Sequence, residues 1–333
     1  MREMRAAVIT GATGMIGMAL TQYLLTQGIT VSACVRPGSA RTERLRGLQA
    51  EYSQSRLHIV EADLEELHAE AVYQELDRTA GRADAFFHLG WSGTFGAAAR
   101  NEIPLQYSNI GYTLDAARLA ERLGCRVFVG AGSQAEYGRV PDGQKLSART
   151  PVFPENGYGM AKLAAGQMSR ILCEKQGMCH IWVRILSVYG AWDTEGTMVM
   201  SAIDTLLSGG RPVFSPGEQL WDYLYAKDAA RALYLAAKSG RSGSIYPLGS
   251  GKARPLKDYI TEIRETVRPS AELGIGELPY AQRQVMYLCA DIEELTRDTG
   301  FVPEYTFEEG IRETAAWRME RKNEENQCSN TML

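Results

Sequence analysis

The chain has 333 residues, 45% hydrophobic and 23% charged, with a net charge of −4. That length supports a substantial core, arranged as one large or two intimate domains. The mild acidity, with no long basic run, argues against a nucleic-acid partner, and no apolar run reaches membrane-spanning length.

Met1-Arg2-Glu3-Met4-Arg5 enters a strand directly, without a signal peptide, so a cytoplasmic protein is expected. Ala6 to Ile9 is a short apolar run that stops at Thr10-Gly11-Ala12-Thr13-Gly14-Met15-Ile16-Gly17. An amphipathic run, Met15 to Leu25, follows at once. The order reads strand, tight turn, helix, the opening of a βαβ unit. Gly11 permits the turn, and Gly14 lets a pyrophosphate approach backbone N–H groups where the helix dipole favours anions. Gly17 lets the helix pack closely on its strand.

A second strand, Val31 to Val35, ends at Arg36-Pro37-Gly38-Ser39. In a dinucleotide fold the residue at this strand end meets the adenosine ribose. An acid there selects NAD and an arginine accommodates a 2′-phosphate. Arg36, with Ser39 and Arg41 adding donors, points to NADP(H), with NAD(H) still open; the alternative is a solvated loop arginine. A third strand, Leu57 to Val60, leads to Asp63-Leu64, where the aspartate either reaches adenine or caps the next helix. Ala85 to Leu89 reads as a buried parallel strand, followed by Gly90-Trp91-Ser92-Gly93. A helix, Leu105 to Leu123, and a strand, Arg126 to Gly130, complete a further unit. This alternation predicts an α/β fold with a doubly wound parallel (Rossmann) sheet, whose chemistry lies just beyond the strands' carboxyl ends.

The fifth strand ends in Gly130-Ala131-Gly132-Ser133-Gln134-Ala135-Glu136-Tyr137-Gly138, which puts a hydroxyl at that edge. Asn156-Gly157-Tyr158-Gly159-Met160-Ala161-Lys162 then opens a helix to about Gln176. Tyr158 and Lys162, four apart, share one helical face. A free tyrosine has a pKa near 10. Bringing it to neutrality needs about 4 kcal/mol of differential interaction, which a neighbouring ammonium and a nicotinium charge would supply.

At this point the chain resembles the extended short-chain dehydrogenases/reductases, the NAD(P)-dependent epimerase/dehydratase group acting on nucleotide sugars. The resemblance covers about Arg5 to Trp317. It rests on the glycine motif, Asp63-Leu64, His88-Leu89-Gly90, Asn109, Ser133, Tyr158 with Lys162, and Arg184 through Tyr189-Gly190. In the second half it adds Asp222 to Ala229 and Gly300-Phe301-Val302-Pro303. It implies that Tyr158 exchanges a proton with a sugar oxygen, that Lys162 is its electrostatic partner and a ribose ligand, and that Ser133 holds the reacting oxygen. Gly11, Thr13, Gly14, Met15, Ile16, Gly17, Arg36, Ser39, Asp63, Leu64, Leu89, Gly90 and Asn109 would hold the cofactor, with helix packing as the other reading of Asn109. Trp91, Gln134, Ser187, Trp221 and Arg283 would meet the substrate.

Beyond Gly190 the alternation becomes irregular. Helices are expected at Thr197 to Leu207, Lys227 to Lys238, Leu256 to Val267 and Phe307 to Arg321, and a strand at Trp221 to Tyr225. The expected division is a dinucleotide domain over 1–190, to which parts of the later chain return, a smaller substrate lobe over 191–321 and a disordered tail over 322–333. The six cysteines (Cys34, Cys125, Cys173, Cys179, Cys289, Cys328) form no C-x-x-C pair and read as buried thiols. His58, His68, His88 and His180 lack metal-ligand spacing, so no metal is expected, and His88 reads as a core histidine.

Three departures narrow the activity. The acidic pair that follows the catalytic hydroxyl in sugar-nucleotide 4,6-dehydratases is replaced by Gln134 and Ala135. Glu136, on an extended segment, would face the other way, so dehydration is disfavoured. The usual asparagine after the sixth strand is Ser187, and the phosphate-binding arginine before Asp-Tyr is Trp221, which either stacks on the ligand or is simply buried. Arg283 is then the candidate for the diphosphate. The expected activity is an NADPH-dependent reductase of a nucleotide-activated 4-keto-6-deoxy sugar, working as a homodimer. An NAD-dependent 4-epimerase is the alternative, followed by a non-catalytic dinucleotide sensor.

Overall fold

A computed structural model describes residues 3–52 and 55–331. Seven parallel strands make the main sheet: β1 (Ala6–Thr10), β2 (Thr30–Val35), β3 (Leu57–Glu61), β4 (Ala85–His88), β5 (Val127–Ser133), β6 (Cys179–Ile185) and β7 (Ser244–Leu248). Their order is β7-β6-β5-β4-β1-β2-β3. The strands are mostly apolar because helices cover both faces. Ala7, Ile9, Val31, Ala33 and Val129 point to one side, against Leu20 and Leu24 of α1 (Met15–Thr26) and Leu233 and Ala236 of α7 (Ala226–Ser239). Their alternates Val8, Phe86 and Phe128 face the other side, where the last two rings stack at 5.9 Å. That layer is closed by α3 (Glu70–Ala80) and α4 (Ile103–Arg122). Between α1 and α3 in sequence lies α2 (Thr42–Tyr52), and α5 (Gly157–Lys175) follows α4.

β5 runs on past Gly130 to Ser133, further than its apolar run. Gly130 and Gly132 leave room for the Trp182 indole of β6: a Cβ at either would lie 2.2 and 2.3 Å from that ring. Gly166 of α5 makes the same allowance from the other side, at 2.6 Å. The glycines thus seat α5, which carries Tyr158 and Lys162, tightly on the strand that carries Ser133.

After Gly190 the chain builds a second core. Val199, Ile203 and Leu206 of α6 (Met198–Leu207) meet Ile263 of α8 (Leu256–Val267) and Ile311 of α9 (Phe307–Thr331). The same stretch also returns α7 and β7 to the main sheet. The single strand expected at Trp221 to Tyr225 is two. Leu220–Trp221 pairs with Arg254–Pro255, and Tyr223–Tyr225 pairs with Ser187–Tyr189. The break is Asp222, fully buried, whose carboxylate accepts the N–H groups of Ser250, Gly251 and Ala290 at 2.7, 3.1 and 3.0 Å. Helix α9 continues beyond Arg321, where the tail was expected, to Thr331. Lys322 anchors that turn by donating to the Asp204 carbonyl at 3.2 Å and the Ser208 hydroxyl at 3.0 Å. Met1, Arg2, Met332 and Leu333 lie outside the described residues, as does the side chain of Cys328. Cys34, Cys125, Cys173 and Cys289 are buried thiols, and burial pushes Cys34 up to about 12. No described helix is long and apolar enough to cross a membrane.

Candidate active site

The strand order reverses between β1 and β4, and a cavity of 740 Å³ opens beyond their carboxyl ends. Its floor is Gly11, Gly14, Met15, Ile16 and Gly17. Gly11 has φ +72° and lies so close to the end of β4 that a Cβ would sit 2.6 Å from the Gly90 nitrogen. A Cβ on Gly17 would strike the Gly11 carbonyl at 2.2 Å, so those two glycines fit the chain to itself. Gly14 differs: its nearest neighbour would be 3.5 Å away. It caps α1 with no side-chain hydrogen bond, which leaves the first-turn N–H groups facing the cavity. Such an end suits an anion, and a dinucleotide pyrophosphate fits it.

Ser133, Tyr158 and Lys162 share the cavity wall. Burial raises the Tyr158 pKa, against the lowering effect of a hydrogen bond with Ser133 and of the Arg100 charge. The guanidinium carbon of Arg100 sits 4.5 Å over the Tyr158 ring. Lys162 is buried and donates to the Ala131 carbonyl at 2.6 Å. Its ammonium lies 3.7 Å from the centre of the Trp91 ring and 5.8 Å from that of Tyr158. Burial brings that ammonium down to about 7. The cation that bears most directly on the phenol is therefore Arg100, and the expected depression of the Tyr158 pKa by Lys162 is absent from the protein's own electrostatics.

Glu136 does not lie on an extended segment. Gln134–Glu136 forms a 3₁₀ turn capped by Ser133, and the Glu136 carboxylate folds back to accept the Ser133 N–H at 2.8 Å. It also accepts Trp182 Nε1 at 3.0 Å and pairs with Arg184 Nε at 2.7 Å. The turn, rather than strand alternation, removes it from the reacting centre, and no acidic residue replaces it at Gln134 or Ala135.

Several other expected residues hold the framework. Asn109 accepts the Ser92 N–H at 2.9 Å and donates to the Ser92 and Leu105 carbonyls at 3.0 Å each, fixing the loop after β4. Trp91 donates to Gln106 at 2.9 Å and meets Tyr158 edge-on at 6.0 Å. Asp63 caps the turn at Leu64, and its other oxygen lies 3.7 Å from Arg36 Nε. The Leu64 side chain backs Gly90, and Leu89 joins the cavity wall. Arg36 is largely exposed, and Ser39 accepts the Arg41 N–H at 3.3 Å. Ser187 accepts Trp221 Nε1 at 2.8 Å. Arg283 is exposed, and neither it nor Gln134, Ser187 or Trp221 forms part of the cavity wall. His88 bridges Thr10 and Thr113, and burial takes it to about 3, the behaviour of a core histidine.

Sequence reasoning missed four residues here. Arg44, from α2, enters the cavity wall beside the glycine loop. Trp192, the one non-glycine residue with positive φ (69°) among those described, sits opposite it, a backbone state that costs about 1–2 kcal/mol. Asp193 is a half-buried cavity carboxyl that desolvation raises to about 6. Arg100 completes the set. Arg44 and Arg100 each lie in runs that read as solvated helix or loop, and only tertiary packing brings them inward.

The family model described as the NAD dependent epimerase/dehydratase family matches residues 7–249. The chain is similar to dTDP-glucose 4,6-dehydratase of Neisseria meningitidis serogroup B, at 24% identity over 96% of this chain and 94% of that protein. Its fold is similar to that of UDP-N-acetylglucosamine 4-epimerase from Methanobrevibacter ruminantium, with a TM-score of 0.80 at 23% identity over 96% of this chain and 100% of that one. dTDP-glucose 4,6-dehydratase from Bacillus anthracis in complex with NAD gives 0.79 at 16% identity, over 96% and 98%.

Proposed function

The chain belongs to the NAD dependent epimerase/dehydratase family, as an enzyme of the extended short-chain dehydrogenase/reductase type, and within it we propose an NADPH-dependent reductase of a nucleoside-diphosphate 4-keto-6-deoxy sugar. The substrate class follows the relatives, whose names are those of nucleotide-sugar enzymes. The observation that carries the choice of reaction is Glu136. Dehydration across C5 and C6 needs free acid and base beside the hydroxyl of Ser133. The carboxylate that follows Ser133 in the chain, Glu136, is held by Arg184, Trp182 and the Ser133 N–H.

A bound nicotinamide dinucleotide would supply the hydride that a carbonyl carbon takes up. Tyr158 gives its phenolic proton to the carbonyl oxygen, which thereby becomes the hydroxyl. A phenol kept protonated by burial suits a proton donor. Ser133 orients the oxygen. Lys162, with a pKa near neutrality, can return a proton to Tyr158. Arginines after β2 (Arg36, Arg41 and Arg44) favour the phosphorylated cofactor, which must exchange at each turnover.

The enzyme works as a homodimer, through a stripe of Ile103 and Tyr107 on α4 and Met160, Met168 and Ile171 on α5. All five are exposed, Tyr107 by 75%, and large apolar side chains exposed on two packed helices mark an interface. Thermal stabilisation tests the substrate class: a nucleoside-diphosphate deoxy sugar should raise the melting temperature further than its free nucleotide does. Equal shifts would contradict it.

A further inference from the structure

Arg44 lines the cavity beside the glycine loop. It donates from Nη1 to the Thr13 carbonyl at 2.8 Å, immediately before Gly14 at the head of α1. Its guanidinium carbon lies 4.6 Å over the Trp192 ring. Arg321 of α9 sits over the same indole at 4.9 Å, and Trp317 meets it edge-on at 4.9 Å. Stacking of this kind fixes a planar cation without neutralising it.

No carboxylate comes within ion-pairing distance of Arg44 or Arg41 among the described residues. The remaining N–H donors of Arg44 meet no acceptor there either. Burial first, and then the charges of Arg41 and Arg321, bring the Arg44 guanidinium down to about 10. Arg36 contrasts with this. It is 73% exposed, faces Asp63 and lies outside the cavity wall.

We infer that Arg44, braced on Trp192, binds a phosphate group of the dinucleotide. This rests on the proposed dinucleotide-dependent reaction but not on which sugar is reduced. One phosphate chemistry has two sources in the cofactor. The pyrophosphate is common to NADH and NADPH, and the 2′-phosphate belongs to NADPH alone. Trp192 acts as a positioning residue, since its ring holds the guanidinium plane over the glycine loop.

Titration calorimetry with NADH and NADPH, on the wild type and on Arg44→Met, Arg44→Lys and Arg36→Ala, tests this without any turnover. Removing a hydrogen-bonded cation from a phosphate should weaken binding about tenfold or more. Equal weakening of both dinucleotides by Arg44→Met assigns the pyrophosphate, and weakening of NADPH alone assigns the 2′-phosphate. Arg44→Lys, which keeps the charge but not the stacked fork, should fall between and guards against a folding failure of the methionine variant. Unchanged affinity for both dinucleotides in Arg44→Met overturns the inference. A wild type that prefers NADH overturns the NADPH reading while leaving Arg44 to be decided by its own arms. A wild type that binds neither overturns both.

Discussion

Glu136 Oε2 meets Arg184 Nε at 2.7 Å in a site where the two side chains are 0% and 2% exposed. The pair locks the end of β5 to β6, and through the Ser133 N–H it sets the serine's backbone. Breaking such a pair leaves an uncompensated buried charge, at a cost of about 3–5 kcal/mol. Glu136→Gln should therefore lower the unfolding free energy by that amount, read by urea denaturation. A loss below about 1 kcal/mol would show that the carboxylate is not the anchor.

Tyr158→Phe keeps the ring beneath Arg100 and beside Trp91 and removes only the transferable proton. Turnover should fall by orders of magnitude, while circular dichroism and dinucleotide affinity stay near the wild type. A variant that retains most of its activity would remove Tyr158 from the chemistry.

Asp193 gives a pH signature. Its carboxyl, about 6 in the folded protein against an ordinary value near 4, binds more protons folded than unfolded between those values. Its contribution to stability is fully present below about pH 4 and is lost as pH rises through 6. Asp193→Asn keeps an acceptor for the Thr194 N–H and has no charge to bury. The variant's stability relative to wild type should thus increase from pH 4.5 to pH 7.5, read by chemical denaturation at each pH. An equal difference at both would contradict the burial.

The sequence made the sheet legible because its strands are buried on both faces and punctuated by glycine. Gly11, Gly14 and Gly17, and Tyr158 with Lys162, form their pattern within single turns, so spacing alone reveals it. What stayed hidden depends on distant partners. Strand alternation carried past Ser133 turns Glu136 to the opposite face, whereas the turn that Ser133 caps folds its carboxylate back onto the strand end. Asp222 splits a strand by binding N–H groups 28 to 68 residues later in the chain. Arg44 and Trp192 are 148 residues apart and meet only when the second lobe folds over the first.

The apolar stripe on α4 and α5 predicts an oligomer. Wild type should sediment as a dimer, and Met168→Glu combined with Ile171→Glu should sediment as a monomer, because both place charge on exposed apolar positions of one helix face. A wild type that is monomeric at micromolar concentration would show that the stripe has another partner.

Reduction consumes cofactor, whereas 4-epimerisation and 4,6-dehydration return it to its starting state within each turnover. The stoichiometry of added NADPH therefore bears on the central claim most directly. Purified enzyme is incubated with nucleoside-diphosphate 4-keto-6-deoxy sugars, absorbance at the NADPH band is followed, and the product is counted. One NADPH oxidised for each 4-keto group converted to a hydroxyl is the predicted result. Conversion between hydroxyl epimers, or formation of a 4-keto-6-deoxy sugar from its hydroxylated precursor, with no net change in NADPH, would contradict it.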